Sequence, residues 1–348
     1  MKHTPKNLLV AVGAGFIGSN FVIYWLLQYP QDRVVVLDAL TYAGNRANLA
    51  SVEDNPQMRF AHADILDTDT VKQLLVEEDI KRLVHFAAEL HVDRSIHGPD
   101  VFIKTNIEGT HSMLKAAKHA WLDEQGGADH RFHHVSTDEV YGTLEPDASA
   151  FTEQHQCLPN SAYAASKASS NHIVWSYHHT YGLNTTISHC SNNDGPYQFP
   201  EKLIPLVIAN CLDGKPLPIY GDGKQIRDWM YVDDHNRGMD LVICQGEVDN
   251  TYNIGGNNEW TTIDIVTPVC ELMDKHHLEG ALHASLITYV TDRAGHDRCY
   301  AIDASKISEI WSIDERKHLR PAYAKQPNGI WPMNDGGAKS WMVVTRTG

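Results

Sequence analysis

The sequence predicts an α/β protein: a doubly wound parallel sheet with a smaller C-terminal region set over it. Three observations carry this. Short apolar runs recur at 8–12, 33–37, 83–88 and 132–136. Stretches with helical spacing lie between them, at 16–27, 70–78 and 101–121. The alternation ends near residue 195, where Pro196, Pro200, Pro205, Pro216 and Pro218 follow in quick succession. Alternating strands and helices imply parallel pairing with helices on both faces, and the proline-rich change marks an irregular region that caps the sheet.

The elements follow in order. The run at 8–12 is a strand, the glycines after it a turn, 16–27 a helix, and Arg33-Val-Val-Val-Leu37 a second strand ending before Asp38, which is one βαβ unit. The runs at 83–88 and 132–136 repeat the pattern, and 125–129 is a loop between such units. The expected division is a first domain over 1–190, joined again by 229–260; a substrate-binding region over 191–228 and 261–311; and an atypical polar tail over 312–348 that carries no sustained apolar period.

Composition narrows the function. The chain has 348 residues, 42% hydrophobic and 21% charged, ordinary values for a globular protein. No window approaches the run of about twenty apolar residues a membrane helix needs, and the polar start has no signal-peptide core, so a soluble cytoplasmic protein is expected. A net charge of −15, without a basic stripe, argues against nucleic acid. The six cysteines form no C-x-x-C pair and read as reduced thiols. Among 21 histidines, the His-His pairs beginning at 133, 178 and 276 sit in no H-E-x-x-H frame and beside no evident third ligand, so no metal is expected.

Two motifs carry chemistry. Gly13-Ala-Gly15-Phe16-Ile17-Gly18 follows a strand and opens a helix, so backbone amides and the helix dipole meet a pyrophosphate. Asp38, twenty residues beyond Gly18, can accept from an adenosine ribose and would repel a 2′-phosphate; Ala39 rather than an arginine follows it, which favours NAD over NADP. A turn that merely packs helix on strand is the alternative. Tyr163 and Lys167 lie four apart on one helical face, where the ammonium can stabilise a phenolate and bind a nicotinamide ribose. With Ser136-Thr137-Asp138 at a strand end, they form a hydroxyl-oxidising site in which Tyr163 takes the alcohol proton. The alternative is a structural i, i+4 pair.

Together these motifs resemble the extended short-chain dehydrogenase/reductase superfamily, a Rossmann-type fold. Within it, Thr41-Tyr-Ala-Gly-Asn45, His91-Val-Asp-Arg-Ser95, Ser191-Asn-Asn193, Phe199-Pro-Glu-Lys-Leu-Ile-Pro205, Gln225-Ile-Arg-Asp-Trp229, Tyr252-Asn-Ile-Gly-Gly256 and Gly295-His-Asp-Arg298 resemble the dTDP-glucose 4,6-dehydratase family, from about residue 8 to Trp311. The resemblance implies a homodimer, formed through helices near 101–121 and 163–179, that serves deoxysugar biosynthesis. It implies C4 oxidation by NAD, loss of water across C5 and C6, and hydride return to C6. Glu139 would be the base at C5 and Asp138 the acid at the C6 hydroxyl, with Thr137 polarising the C4 oxygen. For that, Asp138 needs a raised pKa, which burial beside a second carboxylate supplies.

By the same resemblance, Phe16, Ile17, Thr41, Asp64, Ile65, Ala87, Ala88, Glu89, Thr105 and Asn193 join the glycines, Asp38, Tyr163 and Lys167 on the cofactor. Thr137, Asn192, Lys202, Leu203, Pro218, Tyr220, Arg227 and His296 meet the nucleotide sugar. The alternatives are a UDP-sugar epimerase or decarboxylase of the same superfamily, or a nucleotide-sugar binding protein with impaired catalysis. Four positions depart from the pattern: Val12 where the family has glycine, Leu90 for serine, Thr262 for asparagine and Asp194 for tyrosine. If the turn at Val12 needs a positive φ, the strain is about 1 to 3 kcal/mol.

Overall fold

The structure, a computed structural model, describes residues 6–86, 89, 92–126, 129–145, 148–276, 282–292, 296–310, 329–333 and 340–344. The first βαβ unit is β1 (Asn7–Ala11), α1 (Phe16–Gln28) and β2 (Arg33–Asp38). It continues through β3 (Met58–His62), α2 (Thr68–Glu77) and β4 (Arg82–His85). A short helix α3 (Val92–His97) leads to α4 (Asp100–Phe102) and α5 (Gly109–Ala117), which are joined by a π-helical turn at Ile103–Glu108 and extended by another at Lys118–Glu124. Then come β5 (Arg131–Thr137), the 20-residue α6 (Ala162–Tyr181) and β6 (Thr185–Cys190).

The α/β prediction holds. Seven parallel strands form one sheet, and its seventh strand, β10 (Asn250–Ile254), pairs with β6 in the order β10-β6-β5-β4-β1-β2-β3. Alternate side chains of the central strands enter opposite cores, as a pleated strand dictates. Leu8 and Val10 pack with Phe21 and Trp25 of α1, whereas Leu9 and Ala11 pack with Leu75 of α2, Met113 of α5 and Val174 of α6. Burial on both faces is why these strands read as unbroken apolar runs. The one expected run that extends further is 83–88: β4 stops at His85, and Ala87 and Ala88 lie outside the described residues.

The sheet, with the helix over 232–245, also buries histidines. His85, His133, His134, His189 and His235 are all at most 2% exposed. The His85 and His134 rings lie 5.2 Å apart, and His189 joins a hydrogen-bonded line from Asn171 (2.9 Å) to Tyr141 (2.7 Å). Burial pushes His85, His133, His189 and His235 down to about 3 and His134 well below its ordinary value, so all five are neutral.

Beyond β6 the chain is more regular than its prolines suggest. β7 (Asn192–Asp194), β9 (Ile226–Tyr231) and β11 (Glu259–Thr261) form a small sheet, and β8 (Leu217–Tyr220) pairs in parallel with β12 (Ile287–Val290). Helices α7 (Leu203–Asp213) and α9 (Thr262–His276) cover them through Ile208, Val266 and Met273. Pro205 sits in the first turn of α7, where a missing amide costs nothing. Helix α8 (Val232–Gln245) packs on α1, and α10 (Ser305–Ile310) on α8 and β10. The tail, to which the sequence pattern assigns no element, contains an antiparallel pair of β13 (Gly329–Met333) and β14 (Ser340–Val344).

Candidate active site

Strands β2 and β3 extend the sheet from β1 in one direction, and β4, β5, β6 and β10 extend it in the other. The order therefore reverses between β1 and β4, the place where open α/β sheets bind ligands at their carboxyl ends. A cleft of about 880 Å3 opens there, with Val12 after β1 and Phe86 after β4 in its wall.

The turn from β1 to α1 builds one end. Gly15 precedes α1 with no side-chain cap, which leaves the helix's first amides facing the cleft at Phe16, Ile17 and Gly18. Gly18 is obligatory: a Cβ there would lie 2.3 Å from the Val12 carbonyl oxygen. Gly13 is not in the cleft wall, and a Cβ on it would lie 2.8 Å from Val36 Cγ1, so the turn packs closely against β2 there. Asp38 is 3% exposed and accepts from the Ala14 amide (2.9 Å) and the Leu40 amide (2.8 Å), which fixes its carboxylate in the wall at the end of β2. Burial raises its pKa, and the two amides oppose that.

Val12 has φ +60°, with its amide donating to Leu37 O at 2.7 Å. A β-branched residue is strained there by about 1 to 3 kcal/mol. Val12→Gly removes the strain but adds about 1 kcal/mol of unfolded-chain entropy. The net expectation is a gain of about 1 kcal/mol, read as a higher denaturant midpoint at unchanged slope. A lower midpoint would mean that the packing of the Val12 side chain outweighs the strain.

The reactive centre forms where β5 meets α6. Ser161 caps α6 by accepting the Ala164 amide (3.0 Å), which sets Tyr163 in the first turn and Lys167 one turn on. Thr137, Glu139, Tyr163 and Lys167 all line the cleft. Burial first, then the Glu139 charge, raises Tyr163 well above its ordinary value. The Lys167 ammonium donates to the Val135 carbonyl at 2.8 Å, which leaves two of its three donors for other groups. Its burial brings it down to about 8.

Asp138 is 1% exposed and lies behind the wall rather than in it. Its Oδ1 accepts from Thr137 Oγ1 at 3.2 Å, and its Oδ2 is buried with no partner among the described residues. Burial, then Glu139 and Asp228, push it up to about 8, so this carboxyl is largely protonated at neutral pH, the state an acid requires.

The other wall comes from the C-terminal region. Asn192, Lys202, Leu203, Pro218, Tyr220, Arg227 and His296 line it, as does Thr262, and Asn193, Thr41, Asp64, Ile65, Glu89 and Thr105 complete the cofactor end. Arg227 is held by the carbonyls of Ile226 (2.7 Å) and Asp297 (2.9 Å) and lies 4.3 Å from the Tyr300 ring centroid. His296 Nδ1 meets Asp292 Oδ1 at 2.5 Å. Asp194 is outside the wall, buried against Asp234, and burial pushes it up to about 7. Ala87, Ala88 and Leu90 lie outside the described residues.

Sequence reasoning missed several residues. Asn106 clamps Glu89, accepting its amide (2.8 Å) while donating to Ser166 Oγ (2.8 Å), which ties the π-helical turn to α6. Asp297 gathers Thr143, Asn160 and Tyr300 around its carboxylate and so positions the segment holding Arg227. Tyr42 and Phe199 meet with ring centroids 4.9 Å apart, and the Arg94 guanidinium lies 3.9 Å from the Tyr42 ring. Tyr42, Phe199 and Asp297 stood inside quoted motifs, but nothing in their spacing marked the contacts they make.

A glycine turn at the sheet's switch point and a Thr, Tyr and Lys set at β5 and α6 define a protein of the extended short-chain dehydrogenase/reductase class. The chain belongs to the GDP-mannose 4,6 dehydratase family, whose model matches residues 9–312. A dTDP-glucose 4,6-dehydratase of Shigella flexneri is 51% identical over 97% of this chain and 98% of its own. That alignment runs past Trp311, where the motif resemblance was expected to end. A dTDP-glucose 4,6-dehydratase of Xanthomonas campestris is 53% identical over 86% of each chain. The Streptomyces venezuelae dTDP-glucose 4,6-dehydratase, solved with NAD bound, superposes with a TM-score of 0.79 at 47% identity, covering 90% of this chain and 92% of its own. A UDP-glucose 4-epimerase from Thermotoga maritima reaches a TM-score of 0.75 at 27% identity, over 87% and 91%.

Proposed function

We propose that this chain is an NAD-dependent dTDP-glucose 4,6-dehydratase, a hydro-lyase of deoxysugar biosynthesis. The observation that carries the reading over the epimerase alternative is the Asp138–Glu139 pair, one carboxyl held protonated behind the wall and the other in it. A 4-epimerase has no use for such a pair, and the relatives near 50% identity bear the dehydratase name.

The residues present fit NAD: uncapped amides at the start of α1, and a carboxylate at the end of β2 pinned by two amides. Bound NAD supplies the hydride acceptor at C4 and the donor at C6. Tyr163 takes the C4 hydroxyl proton, and Thr137 Oγ1 steadies that oxygen. Lys167 holds the ribose with the donors Val135 leaves and lowers the cost of a Tyr163 phenolate by its charge. Glu139 removes the C5 proton. Asp138 gives its proton to the departing C6 hydroxyl, for which it must reach past Thr137. Lys202 and Arg227 face the diphosphate, with Asn192, Leu203, Pro218, Tyr220 and His296 around sugar and base. Asp38 and the α1 amides, with the remaining cofactor-end residues, hold NAD itself.

No helix among the described residues is long and apolar enough to cross a membrane. A cytoplasmic homodimer fits this reading, with exposed Val101 and Ile103 beside α6 as part of its interface.

The test is incubation of the protein with dTDP-glucose and NAD, followed by mass spectrometry. The expected product has lost one water with no net NADH. Unchanged substrate from folded, NAD-loaded protein would leave the binding-protein reading in its place.

A further inference from the structure

At the far end of α6, three side chains from two parts of the chain converge. His178 and His179 occupy its last turn, and the loop before β10 brings Asp249 against them. Asp249 Oδ2 lies 3.9 Å from His178 Nε2 and 3.7 Å from His179 Nε2, and the three ligand atoms are mutually within 4.8 Å. None of the three lines the cleft.

The hydrogen bonding sets what can sit between them. His178 Nδ1 lies 2.8 Å from the Leu183 carbonyl, which only accepts, so Nδ1 carries the proton. In the neutral ring Nε2 is then a lone pair, pointed at a carboxylate, and two acceptors face each other unless a cation lies between. An imidazole whose other nitrogen donates to a carbonyl is the arrangement that orients metal-ligating histidines. Asp249 is held in place by its own amide, which donates to Thr185 O at 2.8 Å, and its Oδ1 is buried with no partner among the described residues. The final turn of a 20-residue helix adds negative potential.

We propose that His178, His179 and Asp249 form a binding site for a divalent transition ion of the zinc type. Two imidazoles and a carboxylate suit zinc rather than magnesium, whose sites are built of oxygen. Tetrahedral zinc needs ligand atoms about 3.3 to 3.5 Å apart, so the two Asp249 contacts close by a few tenths of an ångström and the two imidazoles, within 4.8 Å of each other, turn toward the ion as it binds. The ion would pin the end of α6 to the outer edge of the sheet and leave its fourth position to water. The site was invisible in the sequence because a His-His pair shows two ligands and the third comes from another strand's approach.

The test is a zinc titration of the untagged, chelator-treated full chain against a competing fluorescent indicator. One zinc ion per chain is expected at micromolar concentration or below, with magnesium failing to compete. His179→Ala, a change at a 65% exposed side chain, and Asp249→Asn should each weaken binding at least tenfold while the thermal midpoint in chelator stays that of wild type. Cobalt in place of zinc should give visible bands that vanish in both variants. Absence of zinc binding, equal competition by magnesium, or variants that bind as wild type does would overturn the assignment; an ordinary Asp249–imidazolium ion pair gives the first of these results.

Discussion

Glu139→Gln should lower dehydration of dTDP-glucose by about 10²- to 10⁴-fold, the usual contribution of a positioned general base. The substitution keeps the shape of the side chain in the cleft wall and removes only its charge and basicity. Substrate affinity should therefore change little, while uptake of solvent deuterium at C5 falls in step with turnover. A second readout separates a catalytic role from a structural one. The Glu139 charge helps to raise Asp138, so its removal lets that carboxyl ionise more easily, and the alkaline fall in residual activity should move below its wild-type midpoint near pH 8. Undiminished turnover in the variant would sink the dehydratase mechanism and return the epimerase reading.

The second large effect is acid unfolding at unusually mild pH. The five buried histidines have depressed folded pKa values, about 3 for His85, His133, His189 and His235 and well below the ordinary value for His134, against 6.5 in the unfolded chain. Their stabilisation is complete above pH 6.5 and is lost as pH falls toward 3, because only the unfolded state takes up the protons. Buried carboxyls act in the opposite sense: Asp138, raised to about 8, and Asp194, raised to about 7, are already protonated in the fold and favour it as pH drops toward 3.8, and Asp38 and Asp228, also raised by burial, join them at the acid end. Five protons against two leave three, or about 4 kcal/mol lost per pH unit below 6.5. Against a total stability of about 5 to 15 kcal/mol, unfolding is expected between about pH 3 and 5, the lower the more stable the chain is at neutrality. Circular dichroism across pH 8 to 2.5 checks this; a native spectrum retained at pH 2.5 would show that the buried rings are protonated without loss of the fold. Asp194→Asn should preserve the acid-side stability and add to it at pH 8, where the native carboxylate is buried and charged.

Much of this was legible from local pattern. Leu8 to Ala11 and Arg33 to Leu37 are apolar on both faces because helices cover both sides of the sheet, and a run of that kind between helical stretches leaves few topologies open. The turn strain at Val12 followed from one residue type in one motif. What stayed hidden depends on approach in space. That Gly13 also makes room for Val36 is set by the neighbouring strand; Asp138 is adjacent to Glu139 in sequence but lies behind the wall that Glu139 lines. Asn106, with no motif around it, gains its role only when the π-helical turn delivers it to Glu89. The tail strand pair was missed because its strands are short and carry Pro332 and no clean alternation.

The position of β10 also bears on how the protein is made. Strand β6, Thr185–Cys190, is buried along its whole length and meets its outer neighbour only when residues 250–254 return from the C-terminal region. A nascent chain that has cleared the ribosome only to residue 190 thus carries six strands with β6, which the finished fold buries, left as an unpaired edge, the kind of surface on which chains pair with one another. The intervening stretch of more than fifty residues must be synthesised before that edge is sealed. At about 5 to 20 residues per second, the growing chain spends several seconds in this state, in need of chaperone shelter, before the Rossmann sheet is whole.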